Sequence, residues 1–263
     1  MKSIGLAFVI AVAVVVPAAS AEPQRVAHAS EVGALTFQAE LLVTYPSMSC
    51  PAGTPREIEC FARTGKGTIR GLGTVEESYA YALENQPAGC SAEAVRLPPT
   101  TARFTVAGKG SIEIRVTGTE CLLRSGGSLS AQHAFIVTGG SGSYAGASGG
   151  GTISHISYGP PAWRGRDTWS GNVAVPGLAF DLTAPSLIGT RNIALRAPKR
   201  ANRMRVAYSV KAHDEVDAAV PADCRPRSGS WFKVGRTTVH CLATDTSANE
   251  ARGSFVVTVR RRS

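Results

Sequence analysis

Residues 224–259 read CRPRSGSWFKVGRTTVHCLATDTSANEARGSFVVTV, and no other stretch constrains the fold as much. Val239, Cys241 and Ala243 fall on one face of a two-residue repeat. Phe255, Val257 and Val259 fall on one face of another, with Val256, Thr258 and Arg260 opposite. A period of two means strands with one buried face each. Between these runs lie turn formers: Pro226, Ser228-Gly229-Ser230, Gly235 and the polar stretch Asp245 to Asn249. Upstream, Met204, Val206, Tyr208 and Val210 alternate with Arg205, Ala207, Ser209 and Lys211, which predicts an amphipathic strand with its arginines outside. His213, Asp214 and Asp217 follow in a loop.

The first residues have the form of a signal peptide. Lys2 precedes an apolar run from Ile4 to Val16, Pro17 breaks it, and Ala19-Ser20-Ala21 offers small residues for cleavage. The run is shorter than the ~20 residues that span a bilayer core, so cleavage after Ala21 and an exported chain without a transmembrane segment are expected. Cys50, Cys60, Cys90, Cys121, Cys224 and Cys241 all lie in the exported part, and an even count there predicts disulfides. No Cys-x-x-Cys pair is present to suggest a zinc ribbon or a thioredoxin-type site. Many pairings are open, and sequence neighbourhood favours Cys50–Cys60, Cys90–Cys121 and Cys224–Cys241.

Charge is unevenly placed. Residues 181–263 hold 15 Lys and Arg against 7 Asp and Glu, a net of +8, while residues 22–180 hold 12 of each. A basic patch of this kind attracts acidic polysaccharide or another anionic polymer, although scattered arginines also serve simply as a solvated surface.

Residues 22–34 read as a flexible mature N-terminus, and 35–180 as one all-β domain. Phe37, Ala39, Leu41 and Val43 alternate with Gln38, Glu40, Leu42 and Thr44, and Ile112, Ile114 and Val116 alternate with Glu113, Arg115 and Thr117. Glycine-rich breaks at Gly65-Lys66-Gly67, Gly71-Leu72-Gly73, Gly108-Lys109-Gly110 and Gly126-Gly127 indicate a meander that closes into a barrel or folds as a sandwich. Glu76 to Leu83 is the best helix candidate, although it is brief and Tyr79 and Tyr81 would also suit a strand. Residues 176–183 are the expected junction.

Two resemblances sharpen this plan. The order Cys224, Pro226, Ser228, Gly229, Phe232, Gly235, Thr237, Val239, Cys241, Ala243, Asp245, preceded by Asp181 to Pro185 as an Asp-x-x-x-Pro opening, resembles the hyalin-repeat (HYR) module. That resemblance implies an immunoglobulin-like β-sandwich over 181–263, a Cys224–Cys241 disulfide and a role in extracellular adhesion. Ala248 stands where many members carry glycine. In the first half, GKGSIEIRVTG followed by AFIVTGGSGSYAGASGGGTIS resembles the closing half of an allene oxide cyclase-like or dirigent-like barrel, over about residues 100–156. It implies an antiparallel β-barrel.

Chemistry is sparse. Gly146-Ala147-Ser148-Gly149-Gly150 fits G-x-S-x-G, but a nucleophile elbow needs a following helix, and Ile153 to Tyr158 reads as strand. Gly140-x-Gly142-x-x-Ala145 lacks the βαβ frame of a dinucleotide site. His28, His133, His155, His213 and His240 show no metal-ligand spacing. His213-Asp214 with Asp217 and Asp245 could meet at one end of the sandwich and hold calcium through oxygen ligands, yet loop acids are ordinarily solvated, so no metal, cofactor or catalytic residue is assigned. Glu57, Glu59, Glu76 and Glu77 are expected at the surface. The sequence therefore points to a secreted or surface binding protein that contacts a protein or glycan through its second module, not to an enzyme and not to a nucleic-acid binder. The alternative is a barrel that holds a small apolar ligand, as carrier or as cofactor-free isomerase or cyclase.

Overall fold

The computed structural model describes residues 31–45, 49–92, 94–125, 128–159 and 164–262. The expected signal peptide, most of the N-terminal stretch and the Gly126-Gly127 break lie outside the described residues. Among the described residues every regular element is a strand: β1 (Glu31–Val32), β2 (Leu35–Thr44), β3 (Ile58–Ile69), β4 (Gly73–Asn85), β5 (Ala94–Leu97), β6 (Thr100–Val106), β7 (Gly110–Val116), β8 (Thr119–Ser125), β9 (Ser128–Gly142), β10 (Ser148–Tyr158), β11 (Arg164–Ala174) and β12 (Ala179–Phe180). Then come β13 (Ser186–Ile188), β14 (Ile193–Arg196), β15 (Arg203–Arg205), β16 (Lys211–His213), β17 (Ala222–Arg225), β18 (Trp231–Lys233), β19 (Gly235–Thr244) and β20 (Glu250–Arg260).

Eight strands close into an antiparallel barrel. The ring runs β2, β3, β4, β6, β7, β9, β10, β11 and back to β2, where Leu35 meets Val173. Strand alternation sends Leu35, Phe37, Ala39 and Leu41 inward from β2, and Ile112, Ile114 and Val116 inward from β7. Trp169 fills the axis, fully buried, with edge-to-face contacts to Phe104 at 4.6 Å and Phe135 at 5.0 Å. The far halves of β4 and β9 run past the ring and pair with β5 and β8, which cover a smaller core of Leu83, Val95, Leu97, Leu122 and Ala131.

Two local expectations are corrected. Glu76 to Leu83 is no helix. It lies inside β4, which pairs with β3 along its whole length from Gly73 to Glu84. Val75, Glu77 and Tyr79 point inward, a period of two, and the tyrosines suit a pleated surface. Gly65-Lys66-Gly67 is no break either. Both glycines sit within β3, and a Cβ on Gly65 would lie 2.7 Å from Glu77 Oε2 and 2.8 Å from Val43 Cγ1. Gly65 leaves room for a buried carboxylate.

In the second half β14, β20, β19 and β17 form a four-stranded sheet, with β14 parallel to β20 and the other pairs antiparallel. The ribbons β13–β16 and β15–β18 complete an immunoglobulin-like sandwich around Val206, Phe232, Val239, Phe255, Val257 and Val259. The strand predicted over 204–210 is regular only in Arg203–Arg205. Beyond it, Ser228 replaces a ladder partner: its Oγ accepts from Tyr208 N at 2.9 Å and donates to Tyr208 O at 2.6 Å. Ala248 has φ 65, so the turn keeps the left-handed conformation that glycine adopts freely, at a cost of about 1 kcal/mol.

The sandwich touches the barrel at the turns β3–β4 and β6–β7. Gly71 N donates to Ser247 O at 2.7 Å, and Arg70 donates from Nε to Asn249 Oδ1 at 2.9 Å and from a terminal nitrogen to Leu182 O at 2.5 Å. Gly73 has φ 99 and lies so close that a Cβ there would meet Thr246 O at 2.2 Å.

Candidate functional site

Three constellations stand out. The first is an exposed ribbon on the sandwich. In β15–β18, Arg203 pairs with Lys233 and Arg205 with Trp231, while Met204 and Phe232 turn toward the core. Alternation therefore places Arg203, Arg205, Trp231 and Lys233 on the outer face. Trp231 is 52% exposed, and the guanidinium carbons of Arg203 and Arg205 stand 4.8 and 5.3 Å from its ring centroid. The arginines hold the indole open by cation–π contact and keep their outward N–H groups available. An apolar ring flanked by three cations can stack against a flat partner and pair with its anions. The sequence carried the signal in Arg-x-Arg opposite Trp-Phe-Lys, but without the register it read only as scattered charge.

The second constellation lies inside the barrel. Arg63 is fully buried and donates to Glu77 Oε1 at 2.6 Å and to Asp167 Oδ2, and its ring contact with Tyr79 is 4.1 Å. His155 Nδ1 sits 2.5 Å from Asp167 Oδ1 and 3.0 Å from Arg63, and its Nε2 is 3.0 Å from the Tyr45 hydroxyl. Asp167 is two residues from Trp169 on the inward face of β11, so the cluster abuts the aromatic plug. Glu77, expected at the surface, is 1% exposed, because the inward phase of β4 carries it to Arg63. His133 and His155, dispersed in sequence, are brought near each other by the adjacent strands β9 and β10. Arg63, Tyr45, Tyr79 and Asp167 carried no recognisable motif. Most of these donors and acceptors serve one another, which makes the cluster an internal brace.

Burial sets its protonation. It pushes the Glu77 carboxyl from 4.5 up to about 7, against the lowering effect of Arg63, and the Tyr45 hydroxyl up to about 12. Burial, with His155 and Arg63 nearby, pulls the His133 imidazole from 6.5 down to about 4. The unfolded chain takes up a proton at His133 that the folded chain refuses until about pH 4. Stability from neutral His133 is thus complete above about 6.5 and is lost as pH falls toward 4. Glu77 acts oppositely: its contribution is complete below 4.5 and is lost as pH rises through about 7. Comparison with His133→Gln isolates the first effect. The melting temperature of the wild type should fall relative to the variant between pH 6.5 and pH 4. A constant difference across that window would contradict the assignment.

The third constellation is acidic. One carboxylate oxygen from each of Asp181, Asp214 and Asp245 lies within 4.8 Å of the others, and all three residues are buried. Burial raises the Asp181 carboxyl, as do Asp245, Asp214 and Asp217. Of the residues singled out in the loops, Asp214 and Asp245 belong here. His213 is exposed on β16, and Asp217 turns its carboxylate to Thr246 N and Oγ1 at 2.7 and 2.8 Å. Asp181, read from sequence only as the opening of the module, takes their place.

The remaining expectations resolve simply. Disulfides join Cys50–Cys60, Cys90–Cys121 and Cys224–Cys241, the pairs favoured by neighbourhood. Ser148 of the G-x-S-x-G match opens strand β10, and Gly140 and Gly142 end β9. Glu57 is exposed, as expected, and Glu59 is half-buried and accepts from Asn85 Nδ2 at 2.9 Å. No described helix is long and apolar enough to cross a membrane.

Comparison with protein-family models matches residues 180–259 to the HYR domain. Neither the curated proteins nor the solved structures give a match. The matched span includes all three acids, the Trp231 ribbon and the Cys224–Cys241 bridge, and an HYR domain in a chain with three disulfides is typical of extracellular proteins.

Proposed function

We propose that the chain is a secreted or surface-held binding protein in which a barrel, residues 35–180, supports an HYR module, residues 181–263, and that the module contacts an acidic glycan. The observation that carries this is the outer face of β15–β18. A sugar ring stacks on Trp231, and its sulfate or carboxylate pairs with Arg203, Arg205 or Lys233. The net +8 of residues 181–263 draws such a polymer in from a distance. The filled barrel axis around Trp169 supports a scaffold role for the first half over that of a small-ligand carrier.

Dextran sulfate and neutral dextran are suitable probes on the full chain. Dextran sulfate should bind, with affinity falling steeply as salt rises because counterions are displaced. Trp231→Ala should weaken it by about tenfold, the effect of losing one central aromatic contact. Equal retention of both dextrans, or unchanged binding by Trp231→Ala, would refute the assignment of this face.

A further inference from the structure

The acidic cluster does not depend on the Trp231 ribbon and carries an inference of its own. Each carboxylate is held by backbone amides through its Oδ1. Asp181 accepts from Thr183 N at 3.0 Å, Asp214 from Val216 N and Asp217 N at 2.9 Å each, and Asp245 from Ser247 N at 2.9 Å and Asn249 N at 2.7 Å. Asp245 Oδ2 also accepts from Asn249 Nδ2 at 2.8 Å. Asp181 Oδ2 and Asp214 Oδ2 are different. Both atoms are buried and neither has a hydrogen-bond partner, in residues only 7% and 8% exposed.

Buried polar atoms are normally paired, and an unpaired carboxylate oxygen is among the least favourable groups to bury. Here two such oxygens belong to acids that also repel each other and Asp245. Two barrel cations that reach the β19–β20 turn and the junction bond to other groups there. Arg70 donates to Asn249 Oδ1 and Leu182 O, and Lys109 Nζ reaches Ser247 Oγ at 3.5 Å. The arrangement is complete in its amides, and two of its buried carboxylate oxygens remain unpaired.

We propose that Asp181, Asp214 and Asp245 bind a calcium ion. All three ligand atoms are oxygens, with no imidazole or thiolate, which selects a hard cation over zinc or copper. The ligands come from three separate chain segments: the junction after β12, the loop after β16 and the turn between β19 and β20. Calcium tolerates the irregular coordination that such an origin gives, whereas magnesium demands a near-ideal octahedron and holds its water. The ion ties the junction at Asp181 to both loops. Asn249 passes that order to the barrel, because its side chain donates to Asp181 O at 3.0 Å and accepts from Arg70.

The test is calcium titration of the full chain after treatment with a chelator, read by calorimetry and by thermal melting. Saturation is expected in the range of extracellular sites, about 0.1–1 mM, with a rise in melting temperature of about 5 °C or more at 10 mM Ca²⁺ (~10-fold or more above that affinity). Magnesium should give a much smaller shift. The matched variant is Asp214→Asn, whose side-chain oxygen still accepts from Val216 N and Asp217 N. It should melt at or above the wild type without calcium, because one repulsive charge is gone, and should lose the calcium response. Absence of any heat or shift with the wild type would overturn the proposal. So would an equal shift with magnesium, or a full calcium response retained by Asp214→Asn.

Discussion

Arg63→Ala is expected to destabilise the barrel by about 3–5 kcal/mol, read from denaturant unfolding followed by tryptophan fluorescence. The loss does not measure the worth of the ion pairs, whose Coulomb energy is largely offset by desolvation of three charged groups. It measures what remains when the cation is gone: Glu77 and Asp167, each with a side chain at 0% exposure, facing each other across a cavity. Trp169 lies next to the cluster and reports the event directly. The pair Arg252–Glu250 provides the contrast, with side chains 75% and 45% exposed, so Arg252→Ala should change stability by no more than about 0.5 kcal/mol. A loss below about 1 kcal/mol for Arg63→Ala would mean that water enters the barrel and solvates the two acids.

Removal of the disulfide by Cys224→Ala with Cys241→Ala should cost about 3 kcal/mol, since the bridge closes a loop of 17 residues in the unfolded chain. Both cysteines are also buried against Phe255 and Val239 in the sandwich core, so the methyl groups left behind pack less well. For a sandwich of this size the loss is a large share of total stability, and the unfolding transition of the second half should move well below that of the first. Arg227→Ala, an exposed change in the same loop, should leave both transitions in place. Equal melting of the two variants would show that packing alone holds the sandwich.

The strands were legible wherever one face is apolar and the other polar. β2, β7, β19 and β20 follow the alternation of Phe37, Ile112, Val239 and Phe255, and the glycine-rich 139–151 segment shows itself as a strand end, a turn and a strand start. β4 was misread because Glu76-Glu77 looks solvated and EESYAYAL favours a helix by local propensity. Long-range pairing with β3 and β6 overrides that propensity. The interior cluster escaped notice for the same reason. Arg63, Glu77, His155 and Asp167 sit on four strands, and only closure of the ring brings them together. Disulfide partners were readable because each bridge joins neighbours in sequence. The acidic triad was half visible: Asp214 and Asp245 stood out as loop acids, whereas Asp181 looked like the start of a module and its proximity depends on how the junction returns to the β19–β20 turn.

The seam of the barrel joins its first strand to its last, with Leu35 opposite Val173. A ribosome must therefore deliver nearly the entire first half before β2 finds its second neighbour. Until then the backbone of β2 is an open sheet edge, and its inward face of Phe37, Ala39 and Leu41 has no barrel to fill.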